Sequence, residues 1–420
     1  MLKRRVLYIS YNGMLDPLGQ SQVLPYLREL SKRGFEFTLL SFEREPESKN
    51  ADRFKQLKTS LRAEGIDWNW LPYHQKPSLP ATTYDVIQGT RYARRLVRNK
   101  RIELVHARSH VAALIALRLK RRYGLKMIFD VRGLLADEYV DANHWRRDSL
   151  VYRLTKSTER RLFHAADAIV TLTERIWPII SQWDGLRGRN VLQEVVPCCA
   201  DLDLFNFSSS AREARRRELN LQNRFVLVYS GSIDGWYLTE AMADFFAALR
   251  RERTDAHFLW LAPRGHERIR SLMRQRGLNE TDYTVLSVPS ADVPSYLSAS
   301  DAGLAFIKSC LSKMASSPTK YAEYLGCGLP LVLNQGIGDS DMLITQENAG
   351  VLVREFTEAD YTAAARAIGD FSSDPESVRQ HSRNVARRLF DLQRVGVERY
   401  ARLYAQVLAN GAEKPAAAHV

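Results

Sequence analysis

The sequence predicts two α/β domains, each a mostly parallel sheet covered by helices. Three observations lead there. The chain has 420 residues, more than one hydrophobic core usually organises. Short β-branched runs alternate with longer stretches whose apolar residues return every three or four positions, as βαβ units require. That alternation restarts at Phe225.

In the first half the strand-like runs are residues 6–10, 35–42, 104–107, 126–130 and 168–173. Between them, residues 21–33, 52–64, 84–99, 111–123 and 151–164 carry helical periodicity. In the second half strands are expected at 225–230, 257–262, 283–288, 302–306 and 329–334. The polar run Phe207-Ser-Ser-Ser-Ala-Arg-Glu marks the exit from an interdomain connection. We therefore expect a first Rossmann-like domain over 1–205 and a second over 206–388. Two further helical patterns follow Phe371-Ser-Ser-Asp-Pro375, and residues 397, 400, 401, 404 and 408 form an apolar stripe that needs a partner. The Ala/Pro-rich residues 410–420 have nothing to bury and are expected to be disordered.

Composition narrows the function. Hydrophobic residues make up 45% and charged residues 26%, and no stretch approaches the roughly 18 unbroken apolar residues of a membrane span. Residues 6–10 are too few for a signal-peptide core, so a cytosolic protein is expected. Cys198, Cys199, Cys310 and Cys327 show neither metal-ligand nor disulfide-framework spacing and read as reduced thiols. A formal charge of +13 implies an anionic partner. Basic residues cluster at 91–101, 118–122 and 146–161.

Ligands of open parallel sheets bind beyond the carboxyl ends of the strands, and unusual residues follow several strands here. After the first comes Tyr11-Asn12-Gly13-Met14-Leu15-Asp16-Pro17-Leu18-Gly19. There Gly19 either admits a ligand close to the backbone or simply shapes a capped loop. The pattern is not G-x-G-x-x-G, which argues against a nicotinamide dinucleotide. His106, Arg108, Asp130, Arg132, Asp137 and Glu138 follow later strands and either line a polar cavity or form a buried salt-bridge network. The most informative segment is Ser316-Ser317-Pro318-Thr319-Lys320-Tyr-Ala-Glu323, followed by Gly326 and Gly328. A helix starts at Ser317-Pro318, Lys320 and Glu323 share one face, and its N-terminus beside serines and lysines suits a diphosphate.

Taken in order, these pieces resemble family 4 of the retaining GT-B glycosyltransferases, also called glycosyl transferases group 1. They are the Gly19 loop; Val196-Pro197 with Asp201-Leu-Asp203-Leu-Phe205; Tyr229-Ser-Gly231-Ser232; and Ser317-Pro-Thr-Lys320, Glu323 and Gly328-Leu-Pro330. The resemblance implies a GT-B fold with a deep interdomain cleft, residues 389–409 crossing back to the first domain, and no required metal or cofactor. The co-substrate it implies is a nucleoside-diphosphate sugar held by the second domain, with a glycan or lipid-linked acceptor on the first. Glu323 matches the family's ribose-holding glutamate. Donor contacts are then expected from Gly19, Gly231, Ser232, Ser316, Ser317, Pro318, Thr319 and Glu323. Arg108, Asp130, Arg132, Asp137 and Glu138 fall on the acceptor side, and His106, Lys308 and Lys320 are the candidate catalytic groups.

Two departures stand out. Ala315 occupies the place of the family's first motif glutamate, and Ser232-Ile-Asp-Gly-Trp-Tyr237 lacks the Arg and Lys that usually neutralise the diphosphate. Either other cations replace them, Lys308 and Lys320 being closest and Lys313 expected to be merely solvated, or activity is lost. Asp201-Leu-Asp203 and Asp339-Ser-Asp341 fit a cation-binding D-x-D pattern but sit in a junction motif and a glycine-rich loop, so no metal is expected. Trp68, Trp70 and Trp145 are assigned to packing rather than base stacking. The leading expectation is sugar transfer in surface polysaccharide or glycoconjugate synthesis, on the inner face of a membrane whose anionic lipids the basic clusters attract. The alternatives are a sugar-nucleotide epimerase and a basic nucleic-acid-binding protein.

Overall fold

The structure, a computed structural model, describes residues 3–44, 49–371 and 373–409; the tail expected to be disordered lies outside them. Two compact units divide the chain: Met1–Pro197 joined by the chain from Leu392 onward, and Cys198–Asp391. The division falls at Pro197/Cys198, ahead of the polar run near residue 207, because Ala200, Leu202 and Phe205 already pack into the second unit's core.

The first unit is built on one sheet of seven strands. They are β1 (Arg4–Ser10), β2 (Phe35–Glu43), β3 (Ile66–Pro72), β4 (Leu104–Arg108), β5 (Lys126–Asp130), β6 (Ala168–Thr171) and β7 (Leu192–Val195). Their order is β3-β2-β1-β4-β5-β6-β7, parallel throughout. The expected single helix over 21–33 is two, Pro17–Gln22 and Leu24–Lys32. Pro25 lacks an N–H and its ring clashes with the preceding turn, so the chain breaks at Val23. Helices Ser78–Lys100, Ser109–Tyr123 and Leu150–Ala165 pack side by side.

The second unit carries β8 (Phe225–Ser230), β9 (Ala256–Leu261), β10 (Tyr283–Leu286), β11 (Ala302–Ala305), β12 (Leu331–Asn334) and β13 (Gly350–Val353). The order is β10-β9-β8-β11-β12-β13, again all parallel. Both faces of this sheet are covered, so its strands read as continuous apolar runs: Phe225, Leu227 and Tyr229 enter one core, Val226 and Val228 the other. In each sheet chain order reverses next to the first strand, between β1 and β4 and between β8 and β11. Those reversals are where such sheets open a binding crevice.

Of the two last helices, Pro375–Leu389 stays with the second unit, where Val385 and Ala386 join its core. The chain then returns to the first unit through the turn Leu392–Val397 and the helix Glu398–Ala409. Tyr404 packs edge-on against Phe35, Tyr400 against Tyr26, and Arg402 pairs with Glu194 of β7 at 2.6 Å. No helix among the described residues is long and apolar enough to cross a membrane.

Candidate functional site

The second unit's site grows from two strand ends and one helix. β8 ends at Ser230, and Gly231 follows with φ +136°, a conformation open to glycine and few others. A Cβ built there would lie 3.3 Å from Lys320 Nζ, so the missing side chain is what leaves room beside that ammonium group. Lys320 comes from the helix Thr319–Gly326, whose N-cap is Pro318. Its Nζ is buried without a hydrogen-bond partner and sits over the rings of Tyr237, at 3.7 Å from the centroid, and Tyr229, at 4.7 Å. Burial pushes the Lys320 ammonium down to about 7, with Glu323 partly opposing it. Glu323, one turn on and partly open to solvent, is pushed up to about 7 by burial against the pull of Lys320. Two aromatic faces hold a cation in place; they do not satisfy its three donors.

The surrounding loops are tied to one another. Tyr237 and Ile307 form an antiparallel bridge, Lys308 N–H donates to Trp236 O at 2.8 Å, and Leu238 N–H to Phe306 O at 3.0 Å. Asn334, at the end of β12, accepts from Ile307 N–H at 2.7 Å and donates back to Ile307 O at 2.9 Å. Tyr324 OH accepts from Ser230 N–H at 2.7 Å, and Ser317 Oγ accepts from Cys198 N–H at 3.1 Å. Ser316, Ser317, Pro318 and Thr319 are half-buried at the helix start, where first-turn N–H groups lack intrahelical partners. Ser232 is exposed and its carbonyl accepts from Tyr229 OH. Lys308 is half-buried on the loop after β11. Lys313 is not solvated as expected: it is buried, with Nζ 3.9 Å from the Trp236 ring centroid. Ala315 is buried in the short 3-10 turn Leu311–Ala315.

In the first unit, His106, Arg108, Asp130 and Arg132 do come together, at the carboxyl ends of β4 and β5. His106 Nδ1 is 2.7 Å from Tyr404 OH, and its Nε2 is 3.3 Å from Asp130 Oδ2. Tyr400 OH donates to the same carboxylate oxygen at 3.1 Å. The histidine is fully buried and stacked on Tyr8, and burial holds its pKa below the usual value. It is therefore a neutral member of a closed network that anchors the returning helix, not a group open to substrate. Burial alone would raise the Asp130 pKa, but Arg132, His106 and Arg108 together hold it well below the usual carboxylate range.

Two other expectations change. Asp137 is buried and engaged by Lys156 Nζ at 2.9 Å and Tyr152 OH at 3.2 Å. Lys156 also reaches Glu159, which pairs with His110, so Asp137 belongs to a salt-bridge network between helices. Glu138 remains half-buried beside Gly133. Gly19 is buried too, and a Cβ on it would lie 2.2 Å from Gly13 O; the close approach it permits is to its own loop. The same loop is held by Glu43, which accepts from Met14 N–H at 2.8 Å and Ser41 Oγ–H at 2.5 Å. Asp201 Oδ1 caps Asp203 N–H and Asp341 Oδ1 accepts from Gly336 N–H, so one aspartate of each D-x-D pattern serves its own turn.

Sequence reasoning missed one cluster. Asp85 accepts from Tyr11 OH at 2.8 Å and lies 2.6 Å from His74 Nδ1, and the His74 side chain is 45% exposed. Tyr11 follows β1 and His74 follows β3, an edge strand whose polar alternation hid it. Trp68 donates to Ser41 Oγ from the core, and Trp145 stacks on Tyr139.

Residues 19–199 match the glycosyl transferase 4-like domain. Sucrose-phosphate synthase from Thermosynechococcus elongatus has the same fold, with a TM-score of 0.73 at 15% identity over 97% of this chain and 100% of that one. The chain has the GT-B fold. WaaG, a glycosyltransferase involved in lipopolysaccharide biosynthesis, is similar at TM-score 0.67 and 14% identity, covering 97% and 100% of the two chains. HepE from Anabaena, in complex with UDP and glucose, gives 0.67 at 15% over 95% and 99%. No curated protein matches by sequence.

The Lys320 site predicts a pH signature for nucleoside-diphosphate binding. Above about 7 the Lys320 amine of the ligand-free protein is mostly neutral. A bound diphosphate favours the charged lysine, so binding above that pH takes up a proton. Affinity for a nucleoside diphosphate should fall between pH 7.5 and 9, by at most about tenfold per unit. Lys320→Arg, charged throughout, should flatten that slope in calorimetric titrations.

Proposed function

We propose that this protein is a family 4 glycosyltransferase that moves a hexose-type sugar from a nucleoside-diphosphate donor to a glycan or lipid-linked acceptor with retention at the anomeric carbon, without a metal. The observation that carries the reading is the buried, unpartnered Lys320 Nζ beside Gly231 at the crevice between β8 and β11. A leaving diphosphate gathers negative charge, and a preorganised cation at a helix N-terminus stabilises that charge as it develops. Lys308 is the second candidate cation, Ser316 and Ser317 donate hydrogen bonds, and Glu323 holds the ribose. The complexes of HepE with UDP and with UDP-glucose support a donor of the same kind here. A thermal-shift panel of nucleoside diphosphates and their sugars tests the proposal. A ligand at 100 times its Kd stabilises by about 2.7 kcal/mol; no response to any member of the panel would overturn the reading.

The acceptor is assigned to the first domain, and we infer that this domain meets an anionic membrane surface from the cytoplasmic side, in surface glycan synthesis. Leu79, Tyr84 and Ile87 are exposed on the helix Ser78–Lys100, whose later exposed positions are Arg91, Arg94, Arg95, Arg98 and Asn99. Leu150 and Leu154 are exposed near Arg146, Arg147 and Arg153. Apolar side chains beside arginines favour anionic lipid headgroups. Co-sedimentation should be several-fold greater with anionic than with neutral vesicles and should fall with salt; equal binding to both would sink the idea.

A further inference from the structure

The basic cluster at 118–122 plays no part in the donor site. One of its members, Lys120, lines a cavity of about 410 Å³ in the first unit, together with Lys126, Arg189 and Asp167. Lys126 and Leu192 open β5 and β7, and Asp167 directly precedes β6. The cavity therefore lies at the amino ends of these strands, the opposite end of the sheet from Asp130, which closes β5. Leu192 and Val407 give it apolar walls, Val407 coming from the returning helix.

Asp167 is the one carboxylate among the described lining residues, and it faces three cations. Its Oδ2 accepts from Lys120 Nζ and from Met127 N–H at 2.8 Å, while Oδ1 stands 3.5 Å from Lys126 Nζ. Arg189 donates to the carbonyls of Phe163 at 2.9 Å and of Gly185 and Ala166 at 3.5 Å. Carbonyls satisfy its donors without cancelling its charge. Three cations against one carboxylate leave a formal excess of two positive charges on the lining. The side chains of Lys120 and Lys126 are 27% and 29% exposed, so both keep enough water to stay charged. Low-dielectric walls focus such a field into the cavity and raise the local concentration of anions. A structural role explains Lys120, which ties the end of the helix Ser109–Tyr123 to Asp167. It does not explain why Lys126 and Arg189 border the same opening.

We propose that this cavity is a second ligand site, which binds an organic phosphate monoester apart from the Lys320 site. Near neutral pH a phosphate monoester carries about −1.5 to −2 charges, which matches the excess on the lining; a diester or a single carboxylate matches only half of it. The volume falls within the roughly 300–1,000 Å³ of small-molecule sites and exceeds what inorganic phosphate fills. Leu192 and Val407 offer the organic part an apolar surface. None of these residues belongs to the donor site, so the two assignments stand or fall separately.

The full chain is titrated with glycerol 3-phosphate by calorimetry in phosphate-free buffer. Wild type should bind saturably, with an affinity that falls as salt rises. Lys126→Gln and Arg189→Gln, at half-buried and exposed positions, should each lose at least about fivefold in affinity, the scale of removing one charge at close range in a hydrated setting. Arg122→Gln, exposed on the same helix as Lys120 but outside the lining, should bind like wild type. So should Lys320→Met, which separates this site from the donor site. Vesicles of equal charge containing phosphatidic acid, a monoester, or phosphatidylglycerol, a diester, identify the source. A preference for phosphatidic acid that Lys126→Gln abolishes assigns the monoester to a lipid headgroup; no such preference, with the calorimetric loss intact, assigns it to a soluble ligand. Absence of saturable binding, an equal loss in Arg122→Gln, or wild-type affinity in both cavity variants overturns the proposal.

Discussion

Lys320→Met lowers turnover by about 10²–10³-fold, the scale of losing one preorganised charge-stabilising donor, while raising the stability of the ligand-free protein. Both effects follow from one geometry. The ammonium is buried over Tyr229 and Tyr237 with none of its donors satisfied, a burden that relief by an apolar chain of similar length should turn into about 1–3 kcal/mol of stability. Methionine fills the same slot against the two rings. Under the proposed function the charge acts as the diphosphate departs, so donor affinity should fall less than turnover. Glu323→Ala should do the reverse, weakening donor binding with a smaller effect on turnover, because a ribose contact is equal in ground and transition states. Steady-state kinetics on a confirmed donor, alongside thermal melting, checks both. Wild-type turnover in the Lys320 variants would remove this residue from the mechanism.

The second large effect is expected from the returning helix. A chain ending at Asp391 loses Val397, Tyr400, Leu403, Tyr404 and Val407, all buried in the first domain. Deleting a single large core aromatic costs about 3–5 kcal/mol, and here several go together. The first domain should therefore fail to reach its native state while Cys198–Asp391 keeps its own core. Tyr404→Phe is the graded version: it leaves His106 Nδ1 without its 2.7 Å partner and should cost about 1–3 kcal/mol. Denaturant unfolding followed separately by Trp68 in the first domain and Trp260 in the second would resolve the two. Unchanged stability of the truncated chain would contradict this account.

The strands that sequence patterns found and missed differ in a physical way. β3, β7 and β13 were missed, and all three are edge strands, although the fourth edge, β10, was found. An edge strand is covered less completely, so Ile66–Pro72 carries Asp67 and Asn69 and Leu192–Val195 carries Gln193 and Glu194. Central strands such as Ala256–Leu261 are buried at every position and announce themselves. That Lys320, Glu323 and Gly231 lie together was legible because they belong to one helix and one strand end, where spacing along the chain fixes spacing in space. His106 was misread as catalytic because its partner Tyr404 is 298 residues away, and no local pattern reports such a pairing. The cluster of Tyr11, His74 and Asp85 was missed for the same reason. Gly19 shows a different limit: a glycine marks a close approach, but the sequence does not say to what.

The returning helix also sets the order in which a nascent chain can finish folding. Cys198–Asp391 is continuous, so its core is complete once that stretch has left the ribosome. The first domain begins earlier in the chain but lacks its last buried layer until the segment Glu398–Ala409 has emerged. Domains of long chains usually fold in order from the N-terminus during synthesis. In this protein the domain made first is completed last, and until then the face of Phe35, Tyr26 and His106 awaiting Tyr400 and Tyr404 is the surface that chaperones would have to shield.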